Sequence, residues 1–584
     1  MPRPYAGFSS DQILELALRS IASNNQPTLD ALLKELEEHR DNNRAKQFAR
    51  RIRNSRNNGI EVGPDAIQMD LLPKPMSPRR LSNRQPSGNS DAPGNHPPTP
   101  EQRQAIDAFF TGKNIKINAF AGSGKTSTLI QISHSTTKQG LYLAFNKKIV
   151  EDSSDSFPPN VSCSTIHSLA YRSVVTKYRG GAKMTEAMNA LKIAELFKLA
   201  DWDVYKGHVL TAHNQGQLIL NTVRKYCQSA DKSVANTHVP QIRQLSGVPD
   251  KVISAVVNWV AKAASALWQL MVQVETDIPL GHDGYLKIWA LQQPQISAEF
   301  ILVDEAQDTN PVVLEVLEKQ NAQLVLVGDR HQQIYEWRGA INAMEKLPVA
   351  HSTNLTLSFR FGEEIAEAAN AILKLLGESL RVKGNPAKAG RIGDIANPKA
   401  VLARTNASTL KAIIDALDAS KKPHLVGGID DLRRLLNGVT TLKSGQPSEV
   451  PEFFGFKNWQ ELLLHVRNEE THELQMFVNL VEARGERQLL WALGRCVEEH
   501  NADICVSTVH KAKGRQWPSV RIFDDFFNST PSTDDKKLDD AELRLLYVAL
   551  TRAKDELEIP KAVRFLLENG KKMPKSRVTN SIPN

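Results

Sequence analysis

The sequence predicts an α/β fold of two parallel-sheet halves with helical insertions, preceded by a small helical N-terminal region. Three observations carry this. Between residues 101 and 350, strand-like apolar runs ("GLYLAFN", "EFILVDEA", "AQLVLVGD") alternate with helical segments, the pattern of a parallel core covered on both faces. A second set follows in "NLTLSFR" (354–360), "KAVLARTN" (399–406), "ADICVSTVH" (502–510) and "SVRIFDDF" (519–526). A chain of 584 residues also exceeds what one hydrophobic core supports.

The elements fall in order along the chain. Residues 1–72 read as helical and partly basic, with leucines at 14, 16, 18, 29, 32, 33 and 36 and the basic run "RAKQFARRIRNSR" at 44–56. Residues 73–97 are rich in Pro, Ser, Asn and Gly and read as a flexible linker. The first α/β domain is expected over 98–350, with a helical insertion at about 170–295. The second is expected over 351–565, with a reduced insertion at about 430–495, and 566–584 form a basic tail expected to be disordered.

Composition excludes several classes. The N-terminus "MPRPYAGFSSDQ" has no apolar core of a secretory signal. The apolar stretch 252–274 carries Lys262 near its centre, which at a bilayer midplane would cost about 2.5–3.5 kcal/mol, so it reads as a buried helix and no membrane is expected. The four cysteines lack C-x-x-C spacing, against a zinc site or a disulfide framework and in keeping with a reducing, cytoplasmic compartment, nucleoid-associated or nuclear according to the host. A net charge of +8 leans toward a polyanionic partner.

The chemistry begins at "AFAGSGKTST" (119–128), close to the phosphate-loop pattern G-x-x-x-x-G-K-[ST] but with Ala119 at the first glycine. Ala121, Gly122, Ser123 and Gly124 form a turn whose N–H groups face phosphate oxygens, Lys125 supplies positive charge, and Thr126, followed by Ser127, offers a hydroxyl to Mg²⁺. The loop falls between a strand and a helix, where the helix N-terminus favours anions. "ILVDEAQD" (301–308) adds the acidic pair such a site requires: Asp304 to hold Mg²⁺ and Glu305 to orient and deprotonate the attacking water. ATP and Mg²⁺ are the expected ligands.

Further motifs follow in order: "STIHSLAYR" (164–172), "VGDRHQQIYEWRGA" (327–340), "LSFRFG" (357–362), "STVHKAKGRQW" (507–517) and "LLYVALTRAKDEL" (545–557). Together with the phosphate loop they resemble superfamily 1 helicases of the UvrD/Rep/PcrA type over about residues 98–560, and within that class they are most similar to the F-box DNA helicases, although no F-box is visible. The resemblance implies two RecA-like motor domains and explains Ala119, since this family commonly has alanine there. It implies that Gln102 reads adenine, Phe359 stacks on it, Gln516 lies near the ribose, Gln332 senses the γ-phosphate, and Arg360 and Arg552 are arginine fingers. On the nucleic-acid side it implies base stacking by Phe145, Tyr335 and Trp337, with Thr165, His167, Arg338 and His510 as further DNA contacts; core packing is the alternative for each aromatic, more so for Phe145 and Tyr335 than for Trp337. Two departures leave the sugar contacts open, because Gln516 stands where the family usually has Glu and Ser358 where it has Asn.

The activity so implied is an ATP-dependent single-strand translocase and helicase, 3′ to 5′, acting on single-stranded DNA and single-strand/duplex junctions in repair, recombination control or genome defence. A translocase that strips proteins or drives a larger nuclease or defence assembly, and a DNA-triggered ATPase serving as a signalling module, remain the alternatives. Residues 1–95 are the place for a protein partner.

Overall fold

The computed structural model describes residues 31–34 and 96–570, apart from 145, 179–181, 186–187, 243–244, 246, 336–341, 447, 449, 454–455, 457, 469–471 and 528–537. The chain divides into two units, Met1–Gly88 and Asn89–Asn584. In the first, residues 31–34 form a helical turn in which Leu32 and Leu33 are buried; the rest of the expected N-terminal helices, and the tail beyond 570, lie outside the described residues.

The second unit holds two sheets. Strands β1 (Ile115–Ala119), β2 (Gly140–Ala144) and β3 (Val161–Thr165) are followed by a small antiparallel hairpin of β4 (Trp202–Tyr205) and β5 (His208–Leu210), then by β6 (Phe300–Val303), β7 (Gln323–Gly328) and β8 (His351–Leu355). Without the hairpin they form one sheet in the order β3-β2-β6-β7-β1-β8, parallel at every pairing. All four residues of β6 are buried, as both-face coverage by helices requires. Parallel order brings the ends of β1, β6 and β7 to one carboxyl edge, where α/β sheets place their ligands.

The insertion between β3 and β6 is mostly helical, as expected. Helix Asp250–Val272 is long and apolar enough to cross a membrane by length and composition. It is the core of this insertion: Val256, Val260, Ala264, Leu267 and Met271 repeat along one buried face, while Asn258, Lys262 and Gln269 lie exposed on the other.

The second sheet contains β9 (Arg391–Ile392), β10 (Ala400–Ala403), β11 (Pro423–Leu425), β12 (Ile504–Thr508), β13 (Trp517–Ile522) and β14 (Ala553–Glu558), in the order β11-β12-β10-β13-β14-β9 and again all parallel. Helices Asp430–Lys443, Trp459–Asn468, His472–Arg484 and Glu486–Gly494 fill the interval between β11 and β12 and share a core with helix Asn406–Asp418.

One strand expectation is corrected. The run 354–360 reads as a strand of the second α/β region, yet the strand is His351–Leu355 and pairs with β1 at the edge of the first sheet, Leu355 opposite Ala119. The first sheet therefore extends past residue 350. The reason is ladder completion: β1 has an unpaired side until β8 covers it, while residues 356–360 are bent away toward the phosphate loop, with Phe359 N–H donating to Gly122 O at 2.8 Å.

Candidate active site

The phosphate loop folds as its glycines require. Gly122 and Gly124 adopt φ of +74° and +82°, and a Cβ on Gly122 would lie 2.6 Å from both Arg360 Cβ and Ser358 Oγ. Ala119, by contrast, ends β1 in extended backbone, so nothing at that position demands glycine. Gly124 caps helix Lys125–His134, and Ser123 Oγ donates to Phe120 O at 2.8 Å, closing the turn from inside. The expectation that all four amides of 121–124 face phosphate is corrected: Ser123 N–H turns inward to Phe120 O at 3.2 Å and Ala121 N–H donates to Tyr547 Oη at 3.1 Å.

The acidic pair stands opposite the first turn of that helix. Thr126 Oγ1 donates to Asp304 Oδ2 at 2.8 Å, and Tyr142 Oη donates to the same oxygen at 3.0 Å. Lys125 Nζ lies 3.3 Å from Glu305 Oε1, and Gln307 Nε2 donates to Glu305 Oε2. Burial works against the Glu305 charge, but Lys125, Lys513 and the Gln307 hydrogen bond hold its carboxyl below the usual range, whereas burial and the Glu305 charge raise Asp304. Glu305 also occupies a left-handed backbone conformation, φ +51°, a strained state for a non-glycine that clusters at functional sites.

The second half supplies the positive charge. Arg360 Nε donates to Gln516 Oε1 and its Nη1 to Thr551 O, both at 2.8 Å. Arg552 is 1% exposed; its Nε donates to Val548 O at 2.9 Å and its Nη2 to Gln332 Oε1 at 3.3 Å. Neither guanidinium forms an ion pair with a carboxylate among the described residues. Burial lowers both, Arg360 to about 10 and Arg552 to about 9, the latter also through the Arg360 charge beside it. Both stay protonated at neutral pH, two desolvated cations held close together beside a phosphate loop.

Gln332 is fixed from its other end by donating to Asp329 Oδ2 at 2.8 Å. Three more residues of the motifs, to which spacing gives no role, belong to the site: Asp329, Lys513 and Tyr547. Lys513 pairs with Asp308 and donates to Gln332 O at 2.6 Å; Tyr547 joins the phosphate loop to Asp329. Nothing in their linear spacing signals these contacts, because each spans the two sheets.

The remaining expected residues separate into those at the site and those elsewhere. Phe359 is half-exposed over Gly124, its ring 3.2 Å from where a Cβ would stand. Gln102 lies beneath it, accepting from Thr99 N–H in a helix cap and donating to Thr128 Oγ1 at 3.1 Å. Thr165 and Thr508 occupy matching strand-to-helix turns, "STIH" and "STVH", and each hydroxyl caps the helix that follows by accepting from the backbone of Ser168 or Lys511. The Thr165 side chain is thus buried and engaged, and His167 packs edge-on against Tyr285. Tyr335 is partly buried on the core that carries Tyr547, with its hydroxyl donating to the carbonyl of His510 at 3.0 Å. Phe145, Trp337 and Arg338 lie outside the described residues.

Residues 98–347 match the UvrD/REP helicase N-terminal domain family, and residues 444–563 match the UvrD-like helicase C-terminal domain family. The chain belongs to the UvrD-like helicases. UvrD-like helicases use ATP, typically with Mg²⁺, and bind DNA. This UvrD-like chain is 31% identical to F-box DNA helicase 1 of Gallus gallus over 80% of its own length and 49% of the relative's. It is 30% identical to F-box DNA helicase protein 1 of Schizosaccharomyces pombe over 80% of its length and 58% of the relative's. The PcrA helicase of Leuconostoc citreum is 27% identical over 46% of this chain and 38% of that protein. The UvrD-like chain thus spans about half the length of the first two curated relatives it matches.

Proposed function

We propose that the protein is an ATP-dependent translocase on single-stranded DNA that also unwinds duplex DNA from single-strand/duplex junctions, in the 3′ to 5′ sense, during repair or recombination. The carrying observation is the pair of carboxylate-free guanidiniums, Arg360 and Arg552, brought from the second half to a phosphate loop on the first. Arg552 is buried and Arg360 half-buried, and with no carboxylate in ion-pair contact among the described residues two such cations side by side are costly unless an anion arrives. A triphosphate between Lys125 and these arginines is that anion.

The side chains present also fit Mg²⁺. Thr126 and Asp304 place two hard oxygen donors 2.8 Å apart at the loop. When bound, the metal neutralises phosphate charge. Glu305, ionised, accepts the proton of the attacking water; Gln332 orients at the γ-phosphate; Arg360 and Arg552 stabilise the charge that develops as the bond to the leaving ADP breaks. Because Arg552 leads into β14 and Arg360, which follows β8, is held by Gln516 and Thr551 of the second half, hydrolysis is tied to closure between the halves, and closure is the step that moves DNA.

A strand-displacement assay run beside single-strand-stimulated ATP hydrolysis tests this. Both activities are expected. Stimulated hydrolysis without displacement selects a protein-stripping translocase or motor subunit, a reading favoured by the compact helical interval between β11 and β12. Hydrolysis indifferent to DNA would rule out the motor.

We further propose that the basic run 44–56 grips the nucleic acid. Each phosphate it neutralises on a single strand contributes roughly 0.7 to the slope of log K against log salt. Deleting 44–56 is expected to flatten that slope while sparing DNA-independent ATP hydrolysis; an unchanged slope assigns the segment to a protein partner instead.

A further inference from the structure

Tyr547 sits on helix Asp540–Leu550, fully buried, with its hydroxyl between two groups of the other half. Its Oη accepts from the Ala121 N–H of the phosphate loop at 3.1 Å and donates to Asp329 Oδ2 at 3.0 Å. That oxygen also accepts from Gln332 Nε2 at 2.8 Å, and Gln332 Oε1 in turn accepts from Arg552, two residues beyond the end of the Tyr547 helix. The Asp329 N–H donates to Gln307 Oε1 at 3.1 Å, and Gln307 holds Glu305. One hydroxyl thus joins the phosphate loop to the groups read as sensor, finger and base. Apart from the part-buried Gln307–Glu305 bond, these bonds lie in buried surroundings where water cannot readily substitute for a lost partner.

We infer that Tyr547 is a positioning residue that registers closure of the two halves and, through Asp329, holds Gln332 in the orientation that presents Arg552 to the γ-phosphate. The inference rests on the reading of the site as an ATPase centre. Tyr547 lies behind the loop and does not touch the space where phosphate would sit, so it acts on the rate of hydrolysis rather than on nucleotide capture. Burial keeps its phenol far above the ordinary range, so it stays a neutral donor throughout.

The test is Tyr547→Phe, which removes the hydroxyl and keeps the ring in its packing. Loss of one buried hydrogen bond to a carboxylate is expected to lower kcat for DNA-stimulated ATP hydrolysis about tenfold or more. KM for ATP and affinity for single-stranded DNA are expected to hold, and Tm to fall by only a few degrees, since the Ala121 N–H and Asp329 Oδ2 each lose one buried partner. Asp329→Asn, of the same shape, should reproduce the loss. In a Gln332→Ala background the Tyr547→Phe change should have no further effect, because the path it acts through is already cut. An unchanged kcat, multiplying losses in the double variant, or a loss of kcat accompanied by a comparable rise in KM and weaker DNA binding would overturn the inference. Wild-type protein that hydrolyses no ATP with single-stranded DNA present would instead overturn the reading of the site itself.

Discussion

Arg360→Ala lowers DNA-stimulated kcat by about 10³- to 10⁵-fold, the range an arginine finger contributes to phosphoryl transfer. The substitution isolates this effect well. Alanine retains the Cβ that already packs against Gly122, and the side chain gives up only its hydrogen bonds to Gln516 and to Thr551 O. The Arg360 charge lowers the affinity of Arg552 for its own proton, so the two cations oppose each other in the nucleotide-free fold. Removing one is therefore expected to leave Tm unchanged or raise it. ATP binding should change by only a few-fold, since Lys125 and the loop amides remain. Steady-state kinetics with a thermal melt on the same preparation checks both halves of the expectation; a kcat within tenfold of wild type removes Arg360 from the finger role.

Glu305→Gln is the second large effect, a loss of about 10²- to 10⁴-fold in turnover through removal of the general base. Glutamine keeps the length of the side chain and an oxygen to accept from Gln307. It loses the 3.3 Å ion pair with Lys125. Freed from that pair, Lys125 is more available to phosphate, so the variant should bind ATP at least as tightly as wild type while hydrolysing it slowly. Nucleotide binding at equilibrium and single-turnover hydrolysis measure the two separately. Turnover within a few-fold of wild type would mean that another group activates the water.

Much of the site is legible in the amino-acid sequence. The glycines of 122–124, Lys125, Thr126, Asp304 and Glu305 sit where their motifs place them, because each motif is a short stretch whose backbone and side-chain chemistry are set by immediate neighbours. The buried strands of both sheets are likewise visible as apolar runs, and Lys262 marks helix Asp250–Val272 as a core helix with one wet face. Less regular pieces escape. Strand β14, Ala553–Glu558, carries three consecutive charged residues and only two apolar ones, Ala553 and Leu557, and β8, "HSTNL", is too polar to announce itself.

What the sequence determined by itself, then, is the class of chemistry: a phosphate loop, an acidic pair, and an ordered set of motifs that mark a UvrD-like helicase. What only the tertiary structure decided is which of those groups meet. Thr165 is engaged as a helix cap, β8 completes the first sheet, and Tyr547 touches Ala121 across 426 residues of chain. Periodicity and spacing report on forces between residues a few positions apart, whereas the pairing of Tyr547 with the loop, and of Arg552 with Gln332, exists only because the two sheet-bearing halves pack on each other and bury the groups between them.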